Sequence, residues 1–246
     1  MIHKLQVPGE AVSFILYQRT NYLQFSNSVI YKFLYKIFPN ASYKLLVNIE
    51  SKVFRDQIVN RYAESMHNEY MNIKDYLPDK CESVLDIGCG VAGIDPFIAW
   101  HYHLPILFYL LDKTTTDNQI MYGYRQRASF YNSLIIAQKL LANNHIQGTQ
   151  IHLIEADDNY TVPITTHIDI VISLLAWGFH FPVNTYLEQV YSLLSDTGIL
   201  ILDVSKNSNG ANELRKKFSS VSIIGERKDH IRILAKKAPW SFNGLS

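Results

Sequence analysis

The chain has 246 residues, of which 48% are hydrophobic and 18% charged, with a formal net charge of +1. This balance excludes a disordered or fibrous chain and fits one α/β domain of ordinary size, or a domain with an extension. It argues against a nucleic-acid binder: the local basic groups, Arg125 with Arg127 and Arg215-Lys216-Lys217, are short and read as solvated helix ends.

The first 80 residues read as helical and aromatic-rich, with Phe14, Tyr17, Tyr22, Phe25, Tyr31, Phe33, Tyr35 and Phe38 before a break at Pro39-Asn40. From Tyr43 to Tyr76 the pattern predicts one or two helices, with Phe54, Ile58 and Tyr62 on one face. Pro78-Asp79 closes this region. Residues 1–80 are expected to pack as a helical cap on a main domain spanning 81–246.

After residue 80, apolar strands alternate with amphipathic helices. Ser83 to Ile87 is a short buried strand, followed by a glycine loop from Gly88 to Gly93. Asp95 then reads as an N-cap with Pro96 at the first helical position. Pro105 to Leu111 is a second strand ending in Asp112. Phe130, Leu134, Ala137 and Leu141 mark a helix. Gln150 to Ile154 is the third strand, ending near Asp157, and Ile168 to Leu174 is the fourth. Its continuous apolar run suits a strand covered on both faces. Val183, Leu187, Val190 and Leu194 mark another helix, stopped by Thr197-Gly198, and Ile199 to Val204 is the fifth strand. A short helix near Asn212 to Phe218 precedes two strand-like runs, Val221 to Gly225 and Ile231 to Ala235, whose polar connection predicts an antiparallel hairpin. The expected fold is α/β: a Rossmann-like, doubly wound, mostly parallel seven-stranded sheet with a C-terminal hairpin and an N-terminal helical cap. In such sheets a ligand lies outside the carboxyl ends of the strands.

Gly88, Gly90 and Gly93 match G-x-G-x-x-G, where the backbone must turn sharply and approach a ligand closely. Their surroundings choose between ligands. Asp86, two residues before the first glycine, suits an ammonium group and would repel a pyrophosphate. Asp112 is placed to accept hydrogen bonds from both ribose hydroxyls, a feature that dinucleotide enzymes share. Asp157 can accept from an adenine amino group. The ligand so described has hydroxyls, an exocyclic amine and a cation, and no phosphate.

The Asp86 to Gly90 segment resembles motif I of the class I S-adenosylmethionine-dependent methyltransferases, and the resemblance extends over about residues 81 to 236. Asp112 stands in its motif II position and Asp157 in its motif III position. Leu193 to Leu200 resembles the family's helix–turn–strand before the fifth strand. The resemblance implies S-adenosyl-L-methionine as cofactor, with Asp86, Gly88, Cys89, Gly90, Asp112, Lys113, Asp157, Asp158 and Leu174 in contact with it.

The methyl group is then expected to face the end of the fourth strand, Ser173 to Pro182. His180 is the candidate general base, because histidine titrates near neutral pH. Trp177 is a candidate wall of the methyl site, its ring face attracting the sulfonium. Tyr62, Tyr70 and Tyr76 would close over the cofactor, and Arg55 and Arg61 would meet an anionic substrate. Ser173 to Pro182 lacks the [DN]-P-P-[YF] tetrapeptide of amino-methylating nucleic-acid enzymes, the Pro-Cys pair of cytosine-C5 enzymes and the metal-holding carboxylate of catechol-type O-methyltransferases. A small-molecule or sugar hydroxyl remains as acceptor, with no nucleic acid and no metal.

Two other readings stand beside this one. A short-chain dehydrogenase needs a Tyr-x-x-x-Lys well downstream of the glycine loop. Tyr70/Lys74 and Tyr76/Lys80 precede the loop, and Tyr109/Lys113 straddles the second strand end. A non-catalytic, methyltransferase-like scaffold would be expected to have lost some of the acidic pocket. Two cysteines, Cys81 and Cys89, without metal-type spacing, imply no disulfide framework and a cytoplasmic compartment. The longest apolar run, Ile170 to Phe181, is well short of the roughly 20 residues that span a bilayer, and the opening residues carry no signal-peptide pattern. The aromatic N-terminal segment is compatible with a homodimer contact.

Overall fold

The computed structural model describes residues 4–103, 105–114 and 132–237; Arg125, Arg127 and Phe130 lie outside them. The chain opens with four helices: α1 (Ala11–Gln18), α2 (Val29–Ile37), α3 (Pro39–Val53) and α4 (Arg55–Met71). The break expected at Pro39 separates α2 from α3, because proline starts a helix readily but cannot sit inside one. Phe54 separates α3 from α4, so Ile58 and Tyr62 share a buried face while Phe54 caps it half-buried.

The α/β part runs β1 (Ser83–Ile87), α5 (Asp95–Tyr102), β2 (Leu107–Asp112), α6 (Leu134–Asn143), β3 (Ile151–Glu155), β4 (Ile168–Ser173), α7 (Leu187–Leu193), β5 (Leu194–Ser205), α8 (Gly210–Lys217), β6 (Ser220–Glu226) and β7 (His230–Lys236). The seven strands form one sheet in the order β3-β2-β1-β4-β5-β7-β6, with β1 to β5 parallel and β7 inserted antiparallel between β5 and β6. The fold class therefore matches the sequence reading, hairpin included. β5 begins five residues before Ile199, at Leu194. A register shift after Ile168↔Leu194 accommodates the Thr197-Gly198 turn inside the strand.

Side-chain alternation builds two cores. Val84, Phe108, Leu110, Ile170 and Ile172 face one side of the sheet and pack with α1, α4, α5 and α6. Leu85, Ile87, Leu111, Val171 and Leu200 face the other and pack with α7 and α8. Each fully buried aliphatic side chain contributes about 1.5–3 kcal/mol. The N-terminal helices share the first core with the sheet. Polar ties reinforce it. Gln6 and Asn144 exchange hydrogen bonds of 2.8 and 2.9 Å. Arg232 of β7 donates to both oxygens of the fully buried Asp203 at 2.7 and 2.9 Å and to Glu69 of α4 at 2.6 Å.

The strand order reverses between β1 and β4. The crevice outside their carboxyl ends is where an open parallel sheet accepts a ligand.

Candidate active site

The glycine loop leaves β1 at this switch point. Gly88 (φ +73°) and Gly90 (φ +58°) occupy the left-handed region that glycine adopts without cost. The Gly88 N–H donates to the Leu111 carbonyl at 2.7 Å, and the Gly90 N–H donates to Asp112 Oδ2 at 2.7 Å. A side chain at Gly88 would collide with Ala176, and one at Gly93 with the Tyr62 hydroxyl. At Gly90 it would meet the Gln18 amide oxygen at 2.8 Å. The loop is thus bordered by α1, α4 and the segment after β4, all in close backbone approach.

Two carboxyl groups lie beneath it. Asp86 on β1 is 4% exposed, and Asp95 at the start of α5 is fully buried. The sequence reading made Asp95 the N-cap, but Ile94 holds that position and Asp95 is the first residue of the helix. Its side chain faces the Asp86 carboxyl, within hydrogen-bonding reach of it, and no other side chain among the described residues donates to its oxygens. Burial pushes both pKa values up, and the Asp95 charge raises Asp86 further. Among the described residues no cation touches the pair, and two like carboxyls in a dry site cannot both ionise, so they retain a proton. A cation entering the site would release it. Tyr62, 3% exposed, stands over the pair. Burial raises its pKa, and the Arg19 guanidinium lies 5.6 Å from its ring centre.

Asp112 ends β2. Its Oδ2 accepts from Gly90 and its Oδ1 from the Lys113 N–H, at 2.7 Å each. Each oxygen keeps lone-pair capacity for a further donor. Burial raises its pKa to about 6, against the pull of these N–H groups. Beside it, after β3, Asp157 is exposed and accepts the Thr161 N–H at 2.8 Å, a bond that lowers its pKa. Asp158 is exposed and paired with Lys113 Nζ at 3.2 Å.

The segment after β4 is anchored by Ser173, whose hydroxyl donates to the Ile87 carbonyl at 2.6 Å and accepts the Trp177 N–H at 3.0 Å. Leu174 is half-buried and Leu175 exposed in the left-handed region. His180 lies on the exposed rim, edge-on to Phe179, and the desolvation this packing imposes lowers its pKa.

Asp86, Gly88, Cys89, Gly90, Asp112 and Tyr62 converge on one crevice, with Lys113, Asp157, Asp158 and Leu174 along its edge. Other candidates lie apart. Trp177 is fully buried, and its indole N–H donates to the Val183 carbonyl at 2.8 Å, so it packs beneath the segment rather than facing a ligand. Arg61 is exposed and stacks on Tyr22 of the cap, 4.5 Å from the ring centre. Tyr70 bonds His101 Nδ1 at 2.9 Å, and Arg55 lies beside Gly9. Sequence reasoning did not single out Gln18 and Arg19, which carry no local motif. Asp95 had one visible signal: it is the only acid in the otherwise apolar run from Val91 to Ile98.

No family model and no curated protein matches this sequence. Solved structures do match its fold. The precorrin-6y C5,15-methyltransferase of Geobacter metallireducens GS-15 is 15% identical, with a TM-score of 0.50 over 72% of this chain and 89% of that one. The S-adenosylmethionine-dependent methyltransferase SibL is 14% identical, with a TM-score of 0.51 over 93% of this chain and 70% of that one.

Proposed function

We propose that this chain, which has the fold of the class I, Rossmann-like S-adenosylmethionine-dependent methyltransferases, binds S-adenosylmethionine outside β1 and β2 and methylates a hydroxyl group of a small molecule or sugar. The buried Asp86–Asp95 pair carries the reading. It is an acidic site at the foot of a glycine loop that no cation touches among the described residues, and the methionyl ammonium of the cofactor supplies one. The pyrophosphate of a nicotinamide dinucleotide would be repelled there.

The cofactor brings a methyl group on a sulfonium, already a potent leaving group, so the protein's work is alignment and proton removal. Asp112, fixed by two backbone N–H groups, holds the ribose hydroxyls with its remaining lone pairs. Asp157 or Asp158 marks the adenine. Arg19, beside Tyr62, offers a cation to the methionyl carboxylate. His180, after the fourth strand, takes the acceptor hydroxyl proton. The absence from Ser173–Pro182 of the tetrapeptide, Pro-Cys and carboxylate patterns of other acceptor classes supports an alcohol.

Calorimetric titration with S-adenosylmethionine, S-adenosylhomocysteine and NAD tests the cofactor. Micromolar binding of the first two is expected and none of NAD, with Asp112→Ala losing about 1.5–3 kcal/mol, roughly 10- to 150-fold in Kd. NAD binding alone would overturn the assignment, and binding of none of the three would favour a scaffold. With an acceptor in hand, His180→Ala should keep cofactor affinity and lose roughly 100- to 10,000-fold in turnover. Unchanged turnover would remove His180 from the mechanism.

A further inference from the structure

The α2–α3 hairpin stands apart from the rest of the surface in two ways. Ten of the sixteen large apolar residues exposed among the described residues fall within positions 25–53. On α2, which buries no residue, Val29 (84% exposed), Ile30 (74%), Phe33 and Ile37 form one stripe at helical spacing. On α3, Leu45, Ile49 and Val53 form another, while Tyr43, Leu46 and Val47 on the opposite side enter the core. At the usual area of a large side chain, the ten residues together expose roughly 1,000 Å².

The second feature is charge. Positions 25–53 hold four lysines, Lys32, Lys36, Lys44 and Lys52, against one acid, Glu50. That gives +3 within a chain of net +1 and leaves −2 for the remainder. All four lysines are exposed. Glu50 is fully buried, its carboxylate accepting the Gln24 and Phe25 N–H groups at 2.8 Å each. The charge this hairpin presents to a partner is therefore wholly positive.

From this we infer that the α2–α3 hairpin is a peripheral docking surface for anionic lipid bilayers. Its apolar stripes enter the headgroup boundary and its lysines meet the lipid phosphates. Amphipathic helices with lysine on the polar side and bulky apolar residues on the other bind in this manner. A second copy of the chain is the poorer occupant, because a symmetric contact would set two all-positive faces against each other. The hairpin lies on the bilayer rather than through it: α2 has 9 residues and α3 has 15, and no helix among the described residues is long and apolar enough to cross. The inference is independent of methyl transfer.

The test is co-sedimentation of the full chain with vesicles of phosphatidylcholine alone and of phosphatidylcholine with about a third phosphatidylglycerol. Partitioning onto the anionic vesicles should exceed that onto the neutral ones by at least about ten-fold and fall as salt rises. The double reversal Lys32→Glu/Lys36→Glu should lower it by on the order of twenty-fold or more, at about five-fold per lysine. Ile30→Asp/Phe33→Asp, at exposed positions, should abolish it with the helical circular dichroism and melting temperature retained. Equal partitioning onto both vesicles, or none, overturns the inference, as does anionic binding that survives Ile30→Asp/Phe33→Asp. A dimer in sedimentation velocity that Phe33→Asp dissociates, without vesicle binding, would assign the face to a second copy instead.

Discussion

Asp95 shows how one side chain can trade stability for binding. A carboxyl whose pKa is raised in the folded state binds its proton more tightly there than in the unfolded chain. The stability linked to that proton is complete below the unfolded value near 4 and is lost as pH rises through the folded value. For Asp112 the window runs from about 4 to about 6 and amounts to about 2–3 kcal/mol. The Asp86–Asp95 pair extends the loss upward, since both pKa values are raised by burial. Asp95→Asn keeps the shape and removes one titrating charge. It should therefore melt at a higher temperature than the parent at pH 8, with the difference shrinking toward pH 5. It should also bind S-adenosylmethionine more weakly. Thermal melts of both proteins across this pH range, with and without cofactor, read both effects. A variant with the parent's pH profile would show that the pair does not share a proton.

At the level of elements, the sequence was legible wherever a local rule acts alone. β1 begins and ends where its short apolar run and the following glycines place it, buried throughout, and β6 and β7 pair across the polar turn expected of them. Where the reading failed, a tertiary contact overrode a local rule. Asp95 beside Pro96 has the pattern of an N-cap, yet its carboxyl turns to Asp86 because the glycine loop folds α5 back over β1. Trp177 follows a strand end that carries ligand contacts in this architecture. The Gly178 turn (φ +84°) instead drives its ring inward, where Val183 accepts its N–H. Arg61 lies on α4 and Arg19 just past the end of α1, with no motif around either. That Arg61 stacks on Tyr22 while Arg19 reaches Tyr62 depends on how α1 and α4 pack, which periodicity does not encode. The motif residues of the crevice could thus be read from their order along the chain, and the cap residues that border it could not.

The molecule as a whole poses a question of cooperativity. A chain of 246 residues is large enough to unfold in parts, and residues 1–80 have the composition of an appendage. The packing argues otherwise: Ile15, Leu16, Ile58 and Tyr62 of the cap belong to the same core as Val84, Phe108 and Ile170 of the sheet. Arg232 adds a polar clamp, because its guanidinium joins Glu69 of the cap to the fully buried Asp203 of β5. Removing one partner of a buried ion pair leaves an uncompensated charge and costs about 3–5 kcal/mol. Arg232→Ala should lose that much in urea unfolding. In a Trp100→Phe/Trp240→Phe variant, the far-ultraviolet dichroism, to which the N-terminal helices contribute most, and the fluorescence of Trp177, which lies in the opposite core, should change at one midpoint. If the dichroism fell first, the cap would be a separate folding unit and the clamp only a surface latch. If the two signals coincide and Arg232→Ala shifts both together, the N-terminal helices are part of the structure that holds Tyr62 over the carboxyl pair, and closing the crevice needs no docking of a separate domain.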